Sequence, residues 1–424
     1  MTCATTRSVQ RVSSFPARPA YLSGTPGRRL ALYATVGSLG RAATSGLPSA
    51  LVLAVISIGS SAAEGAVLVA ALTAVAGLAG PLTGALIDRL EFPRRGYGIG
   101  LIILIGSTLA FAIGIGTWPQ VFLVGVAAVA GLAQPVFTGA WSAQVRRVVP
   151  DMPIARVYAI DVGTYTVAEI AGPALVGIAF VVDSAVPGAA SVEVVLVLYV
   201  LAAVFLPLVP IPRRSLTHQS PIEPIGRTLR QLKILWSSRS LRRNTFIGTV
   251  SFGAFGFIVI GSPLLGEDLA GDAGFGALLL AVIALGSLLG TIIIARTPIT
   301  KLGPGTVAIV ATLVLAVVLF SISLSPSMVI AFTLGFVFGV VQAPQITGVF
   351  QVRDREAPTQ ARSLVFVGAA SLRTGAFAIG SLTAGALADS GWRTLFLAAA
   401  LTQLASVALA ILFSGTRNDK GAKS

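Results

Sequence analysis

Long apolar stretches alternate with short polar segments along the whole chain of 424 residues. A helix needs about 20 apolar residues to cross a hydrocarbon core roughly 30 Å thick, and twelve stretches reach that length. They cover residues 31–58, 65–87, 97–117, 119–143, 157–182, 193–211, 244–264, 274–295, 303–322, 327–350, 362–386 and 394–414. Backbone groups in lipid must be satisfied within their own segment, and these runs lack the alternation of barrel strands, so the pattern predicts twelve transmembrane helices.

The longer polar segments divide these spans into two sets of six. We therefore expect a basic tail over residues 1–29, a six-helix bundle over 30–211, a linker over 212–243, a second six-helix bundle over 244–415 and a short tail over 416–424. The first tail contains arginine and serine but no acid, which is also typical of a transit peptide. Because the apolar run that follows is too long for a signal sequence, we interpret the tail as cytoplasmic.

Composition supports an all-α integral membrane protein. Hydrophobic residues make up 55% of the chain and charged residues only 11%, with a mean hydropathy of +0.88, whereas soluble domains carry about 25% charged residues. The 46 glycines suit helices that pack closely in lipid. A single cysteine, Cys3, excludes a disulfide framework and a cysteine-ligated metal cluster.

The distribution of charge predicts the orientation of the spans. If both termini are cytoplasmic, the inner segments hold 27 of the 30 lysines and arginines, and the outer loops hold only Arg393. Acidic residues collect in the outer loops, namely Glu64, Asp183, Glu193, Glu267, Asp268, Asp272 and Asp389. The positive-inside rule therefore predicts a multi-pass protein of the cell (inner or plasma) membrane with cytoplasmic N- and C-termini. It also accounts for the net charge of +14, so nucleic-acid binding need not be invoked.

The two sets of spans share an internal repeat. The segment from the fourth into the fifth span matches the segment from the tenth into the eleventh at offsets of 206 to 209 residues. The matched residues are Pro135, Thr138, Gly139, Arg147, Pro150 and Arg156 in the first half, and Pro344, Thr347, Gly348, Arg355, Pro358 and Arg362 in the second. Farther along, Gly172 and Gly177 correspond to Gly380 and Gly385. Such a series indicates two duplicated halves, which is common in transporters.

Two motifs resemble those of the major facilitator superfamily of secondary transporters. The segment GALIDRLEFPRR, which contains Gly84, Asp88 and Arg89, lies between the second and third spans and resembles the superfamily's loop signature, with Glu91 to Pro93 inserted before the basic pair. The segment AGPALVG contains Gly172, Pro173 and Gly177, with Gly163 nine positions before Gly172, and is similar to the glycine-proline motif of the superfamily's exporters. The resemblance extends over residues 30 to 415.

The resemblance implies two pseudo-symmetric six-helix bundles that transport a solute by alternating access. It also implies that Asp88, with Gly84 and Arg89 beside it, latches the two halves together on the cytoplasmic side. We expect a monomeric efflux antiporter of small organic solutes, driven by a proton gradient, with the lipid bilayer and protons as its other partners. An uptake symporter is the alternative within the superfamily, and a multi-span channel is the alternative outside it.

Enzymatic alternatives lack their residues. ATP hydrolysis within the chain would need a GxxxxGK[ST] loop, and no Gly-Lys pair is present. An intramembrane metalloenzyme would need a cluster of ligands, yet the single histidine, His218, lies in the central linker. We therefore expect neither an enzyme nor a protein with a cofactor or metal.

Three charged residues stand out within the predicted spans, and charges in the bilayer are functional candidates because they are costly there. Helix rise places Arg41, Glu169 and Arg373 near the middle of a core about 30 Å thick. Transporter substrate and coupling-ion sites occur at this depth. We predict that Glu169, flanked by Arg41 and Arg373, loads and releases a proton during the transport cycle. The alternative is that Glu169 pairs with an arginine only to hold helices together.

Overall fold

The computed structural model describes residues 25–183, 187–213, 232–296, 303–357 and 362–413. Most of the predicted N-terminal tail, most of the predicted linker and the whole predicted C-terminal tail lie outside these residues. Twelve long helices make up the described part of the chain. They are α1 (Pro26–Ser57), α2 (Ala62–Arg89), α3 (Pro93–Gly114), α4 (Gln120–Ala133), α5 (Ile154–Val182), α6 (Pro187–Phe205), α7 (Arg239–Ala270), α8 (Gly274–Arg296), α9 (Pro304–Ser323), α10 (Met328–Glu356), α11 (Arg362–Ala386) and α12 (Trp392–Leu412).

Local sequence sets the ends of these helices. Thr25 caps α1 by accepting a hydrogen bond from the backbone N–H of Arg28, and Pro26 follows at the first helical position. Ser238 caps α7 in the same way through the N–H of Leu241. At the other end of α7, Gly271 adopts a φ of 73° and stops the helix, as a residue without a Cβ does at low cost. Only three residues, 271–273, separate α7 from α8.

Among the twelve spans, the fourth differs most from the continuous helix that the sequence predicts. The α-helix of α4 ends at Ala133, and the chain continues through a π-helical turn (Val136–Ala140), a 3-10 turn and a four-residue helical segment (Val145–Val148). The physical cause is Pro135, which has no backbone N–H to continue the helical ladder. The equivalent Pro344 lies inside a continuous α10. The sequence pattern did not predict this asymmetry between the halves.

Span length and composition agree with a membrane protein of twelve transmembrane helices. Eleven described segments are long and apolar enough to cross a bilayer, with α4 and its continuation counted as one. The remaining helix, α11, has 25 residues and carries Arg373, which lowers its mean hydropathy. Large apolar side chains cover the outer surface, and Leu78, Val182 and Val329 are more than 70% exposed. Such a surface suits lipid rather than water.

The helices form two six-helix bundles with the same internal packing. In the first bundle α1 packs on α5 and α6, while α4 packs on α2 and α3. In the second bundle α7 packs on α11 and α12, while α10 packs on α8 and α9. The bundles meet chiefly where α2 packs on α11 and α5 packs on α8. The contact of α2 with α11 is the counterpart of the contact of α8 with α5 under the repeat. The duplication in the sequence is therefore a pseudo-symmetry of the fold.

The two ends of the bundle differ in how the halves meet. We call the end at which residues 25 and 413 lie the terminal side, and the opposite end the far side. On the far side, Gly177 near the end of α5 contacts Gly274 at the start of α8, and Gly385 of α11 contacts Ala66 of α2. Gly77 of α2 contacts Thr374 of α11 near mid-height. For the described glycines, contacts between the halves therefore run from the middle of the bundle to the far side.

Candidate functional site

Arg41 lies near the middle of α1 with its side chain buried in the first bundle. All three guanidinium nitrogens donate hydrogen bonds. The acceptors are the carbonyl oxygen of Phe137 (3.0 Å), the carbonyl oxygen and Oδ1 of Asp161 (3.1 and 2.9 Å), the hydroxyl of Ser142 (2.8 Å) and the hydroxyl of Thr164. The guanidinium also lies 3.6 Å from the ring centroid of Tyr165. Arg41 thus joins α1 to α5 and to the segment that follows α4.

Asp161 is the charged partner of Arg41, and the two side chains are both nearly completely buried. The hydroxyl of Tyr33 donates a second hydrogen bond to the same carboxylate oxygen at 2.6 Å. Tyr33 in turn stacks on Trp141, with ring centroids 5.2 Å apart. A buried charge requires a partner and hydrogen bonds, and this pair has both. Asp161 lay inside the predicted fifth span, so its position was the signal that could have identified it.

The predicted flanking of Glu169 by two arginines is therefore wrong for Arg41. Asp161 precedes Glu169 by eight residues on α5, which corresponds to about 12 Å along the helix axis. Arg41 is engaged at the level of Asp161. Depth along the sequence placed both groups in the core of the membrane, but it could not decide which carboxylate Arg41 faces.

Arg373 is the basic residue that acts on Glu169. Glu169 lies near the middle of α5 and Arg373 near the middle of α11, so they belong to different bundles. The two charges interact electrostatically. Within the described residues, no ion pair or hydrogen bond joins Glu169 to Arg373, in contrast to Arg29 with Asp151 and Arg41 with Asp161. Glu169 and Arg373 thus lie in different halves, within electrostatic reach of each other but without a direct bond. The side chain of Glu169 is exposed and that of Arg373 is half-buried.

A cleft lies next to Arg373 in the second bundle. Its walls come from α7, α10, α11 and α12, and it occupies the half of the bundle nearer the terminal side. Arg373 contributes a guanidinium whose carbon lies 3.7 Å from the ring centroid of Phe252. Phe255 and Phe350 add aromatic surface.

A buried polar network forms one wall of this cleft. Ser251 donates a hydrogen bond to Gln403 Oε1 at 2.5 Å. The Nε2 of Gln345 donates to the hydroxyls of Ser251 and Thr312, at 2.7 and 2.8 Å. The four side chains come from α7, α9, α10 and α12, and their mutual hydrogen bonds offset the cost of burial. Neighbours on four helices thus fix the orientation of both glutamines.

Arg353, on α10, is a second guanidinium that lines the cleft. It is only 2% exposed, and its Nε and Nη2 atoms have no hydrogen-bond partner. The sequence reasoning missed Arg353 because the predicted tenth span ended at residue 350. In the structure α10 continues to Glu356 and brings Arg353 inside the bundle.

The glycine-proline motif lies at two helix contacts. A Cβ on Gly172 would lie 2.4 Å from the carbonyl oxygen of Ala42 and 2.8 Å from the backbone nitrogen of Gly46, so α5 and α1 touch backbone to backbone. Its repeat partner Gly380 meets Gly253 in the same way between α11 and α7. Pro173 lies within α5, Gly177 contacts the other half as described above, and Gly163 has open space where a Cβ would lie.

The loop signature ends α2. Gly84, Asp88 and Arg89 lie in the last two turns of this helix, before the short connection to α3. The side chain of Asp88 lies outside the described part of the structure, as do the surroundings of Gly84, so the expected latch remains a prediction. Among the described residues, no group of three or more His, Cys, Asp or Glu side chains is arranged to hold a metal ion.

Two pseudo-symmetric six-helix bundles with buried polar groups at and near their boundary define a membrane transporter for small solutes. A sequence profile of the Major Facilitator Superfamily matches residues 30–373, and the chain belongs to this family of transporters rather than to an enzyme family. Comparison with curated proteins gave no significant match.

Solved transporters share this fold. The nucleoside transporter NupG superposes with a TM-score of 0.72 at 15% identity, covering 92% of this chain and 99% of that one. A bacterial homologue of the human lysosomal transporter Spinster, in an inward-facing and unoccupied conformation, gives 0.67 at 16% identity over 94% and 98%. A D-xylose–proton symporter gives 0.69 at 13% identity over 92% and 97%. At these identities the likeness concerns the fold alone.

Proposed function

We propose that this protein is a proton-coupled secondary transporter that exports small organic solutes by alternating access. The observation that carries the proposal is the position of Glu169 and Arg373 near the middle of helices in different bundles, within electrostatic reach of each other. A charged Glu169 attracts Arg373 and favours approach of α5 and α11. A protonated Glu169 loses that attraction, so proton binding changes the relative energy of the states in which the halves lean together or apart.

The surroundings of Glu169 leave Arg373 as its main charged neighbour. Of the helices that pack on α5, α1 contributes Arg41, which is engaged by Asp161. From α6 come Tyr199, whose hydroxyl is hydrogen-bonded to Thr44, and Glu193, which lies near the far side. The stretch of α8 from Gly274 to Ala295 contains no ionisable side chain. Gain or loss of a proton at Glu169 would therefore act mainly on its attraction to Arg373.

Arg41 and Asp161 have a different role in this proposal. Both side chains are buried within one bundle, and their bonds join α1 to α5 inside it. A pair whose members move together does not sense the opening of the two halves. We assign Arg41 to the rigidity of the first bundle, while Glu169 and Arg373 belong to the moving boundary.

Contacts between the halves suggest which state of the cycle the structure represents. They run from mid-height to the far side, while the cleft lies toward the terminal side. If both termini are cytoplasmic in the cell membrane, as the charge distribution favours, this arrangement corresponds to an inward-facing state of a monomeric carrier. The proposed latch at Asp88 would engage when the terminal side closes.

The direction of transport is proposed as export. Its support is the resemblance of Gly172, Pro173 and Gly177 to the motif of exporters. Uptake by proton symport is the second candidate, and the cationic cleft favours it. An anionic solute near Arg373 would bind better when Glu169 is neutral, so that solute and proton would bind together. One structural neighbour is, by its title, a proton symporter.

Solute-driven proton movement tests the coupling. Purified protein is reconstituted in vesicles loaded with the pH-sensitive dye pyranine and challenged with a panel of organic acids, amines and sugars. We expect at least one solute to move protons through the wild-type protein and none through a Glu169→Gln variant. Glu193→Gln is the matched control, because this exposed acid on α6 lies near the far side. Wild-type proton movement by a well-folded Glu169→Gln protein would contradict the proposal.

A further inference from the structure

We propose that the cleft in the second bundle binds an organic anion, with a carboxylate or phosphate head between Arg353 and Arg373 and an apolar body against Phe252, Phe255 and Phe350. This inference rests on the proposed function, because it identifies the substrate class of the same transporter. It goes further by placing the solute in one bundle and naming the residues that bind its charge.

Arg353 provides the strongest argument. The side chain is 2% exposed, yet its Nε and Nη2 atoms lack an acceptor. A buried charge is costly unless it is paired and hydrogen-bonded. Nothing in the described part of the chain supplies that partner, since the arginine's neighbours include Phe350 at 5.9 Å and the like charge of Arg373. An anionic head would supply the missing charge and acceptors.

The helix opposite Arg353 is shaped to admit it. A Cβ on Gly248 would lie 2.7 Å from Nη2 of Arg353, so the guanidinium packs directly on the backbone of α7. Any larger residue at position 248 would force the guanidinium to move. The glycine therefore allows a guanidinium to lie inside the bundle at a site with no carboxylate partner.

The charge of the cleft excludes a cationic solute as the preferred occupant. Its described lining contains two arginines and no acidic residue. The remaining polar lining consists mainly of amides and a hydroxyl, and Gln345 and Gln403 are already engaged with Ser251. Gln342, also in the lining, is half-buried and offers a further amide donor. Two fixed positive charges with neutral donors form an anion site, and Lys or Arg side chains recognise carboxylates and phosphates in this way.

The aromatic walls of the cleft favour a solute whose remaining part is apolar. Phe252 supports the guanidinium of Arg373, at 3.7 Å from the ring centroid, and Phe255 and Phe350 extend the apolar surface. Ile247 and Val349 complete the wall near Arg353. Small-molecule sites generally combine such apolar surface with a few polar groups that fix orientation. A small amphipathic anion matches this lining better than a sugar with many hydroxyls.

Arg373 connects this site to the proton site. A charged Glu169 competes with the anionic solute for Arg373, whereas a protonated Glu169 leaves the guanidinium to the solute. The other charges near Arg373 are Arg353 from α10 and Glu169 from α5. By linkage, the solute should bind more tightly when Glu169 is neutral, and the proton should bind more tightly when the solute is present. Joint binding of this kind favours symport, the second candidate above, over antiport.

Equilibrium binding to the purified, detergent-solubilised full chain tests the inference. Isothermal titration calorimetry compares 4-phenylbutyrate and 4-phenylbutyl phosphate with the neutral 4-phenylbutyramide, which has the same apolar body. Charge-assisted hydrogen bonds contribute enough to expect at least one anion to bind about tenfold or more tightly than the amide. Arg353→Gln and Arg373→Gln should each remove that preference. Arg355→Gln should keep it, because Arg355 is exposed on the same helix.

Two further variants separate folding and coupling from binding. Arg353→Lys keeps the charge and should retain an intermediate preference, provided that its thermal unfolding midpoint matches that of the wild type. Glu169→Gln should retain anion binding and lose its pH dependence. Equal binding of the three ligands, no binding of any, or a preference that survives both arginine-to-glutamine changes would overturn the inference. Anion binding that depends on both arginines, without solute-driven proton movement in vesicles, would instead overturn only the proton coupling.

Discussion

Charges at three levels of the bundle differ in what surrounds them. Arg41 donates hydrogen bonds from all three guanidinium nitrogens, and Asp161 accepts two through Oδ1. Glu169 and Arg373 interact without bonding, and Arg353 has unpaired donors. A charge that is fully satisfied in one state favours that state, whereas incompletely satisfied charges are available to a ligand or a proton. The surroundings of each residue therefore distinguish the structural pair, Arg41 and Asp161, from the charged groups proposed to act in transport.

Asp161→Asn should destabilise the protein strongly, because it leaves the buried charge of Arg41 without its partner. Breaking a buried pair from one side costs about 3–5 kcal/mol. Tyr33→Phe removes a single hydrogen bond to the same carboxylate, which costs about 1.5–3 kcal/mol for a charged acceptor. Thermal unfolding in detergent should therefore rank wild type above Tyr33→Phe and Tyr33→Phe above Asp161→Asn. An Asp161→Asn protein that unfolds at the wild-type midpoint would show that the pair is not structural.

At the scale of helices, glycine positions determine where backbones meet. Gly172 and its repeat partner Gly380 both lie at backbone contacts within a bundle, and Gly177 and Gly385 both lie at contacts between the bundles. Small residues allow such close approach in lipid, where packing rather than the hydrophobic effect drives association. The repeat in the sequence thus encodes two kinds of contact, each present twice.

Gly172→Ala should destabilise the crossing of α5 over α1. Its Cβ would lie 2.4 Å from the carbonyl oxygen of Ala42, so the helices must separate, and overpacking of this kind costs about 1–3 kcal/mol. Gly163→Ala, on the same helix, is the control because nothing lies within 4 Å of its Cβ position. Alanine favours helix over glycine by up to about 1 kcal/mol, so this variant should match or exceed wild-type stability. Thermal unfolding of the two variants in detergent measures the difference, and equal midpoints would argue against a tight crossing.

At the scale of the whole molecule, the two bundles touch on the far side, and a cleft lies toward the terminal side. Alternating access requires that the contacts at the far side break while new ones form at the terminal side. Gly177 and Gly385 make close van der Waals contacts with the other half, and such contacts can separate during this change. The halves therefore meet at a boundary on which a single charge, such as that of Glu169, can have an appreciable effect.

Orientation in the membrane is tested by labelling of single cysteines in a Cys3→Ser background. Thr117 lies exposed in the far-side turn between α3 and α4, and Arg239 lies exposed at the terminal-side start of α7. The positive-inside rule predicts that Thr117→Cys reacts with an impermeant thiol reagent in intact cells. Arg239→Cys should react only after permeabilisation. The reverse pattern would invert the orientation and make the structure outward-facing.

The sequence by itself determined the class of fold. Span length, hydropathy and the repeat depend on the chemistry of the bilayer, which acts on every residue of a span and so leaves a strong pattern. The same pattern located Glu169 and Arg373 at mid-height. It could not predict the break after α4, because proline interrupts the helix at Pro135 and is accommodated at Pro344. That outcome depends on how neighbouring helices pack.

Tertiary structure alone decided which charges meet. Arg41 reaches Asp161 rather than Glu169 because helix rotation and crossing angle, which hydropathy does not encode, set the facing residues. Arg353 became a site residue because α10 continues past the predicted end of its span. The rise per residue sets the depth of a charge within its span, so the sequence alone is enough to predict that depth. The partner of that charge lies on another helix, far away in sequence, and is determined only when the helices pack.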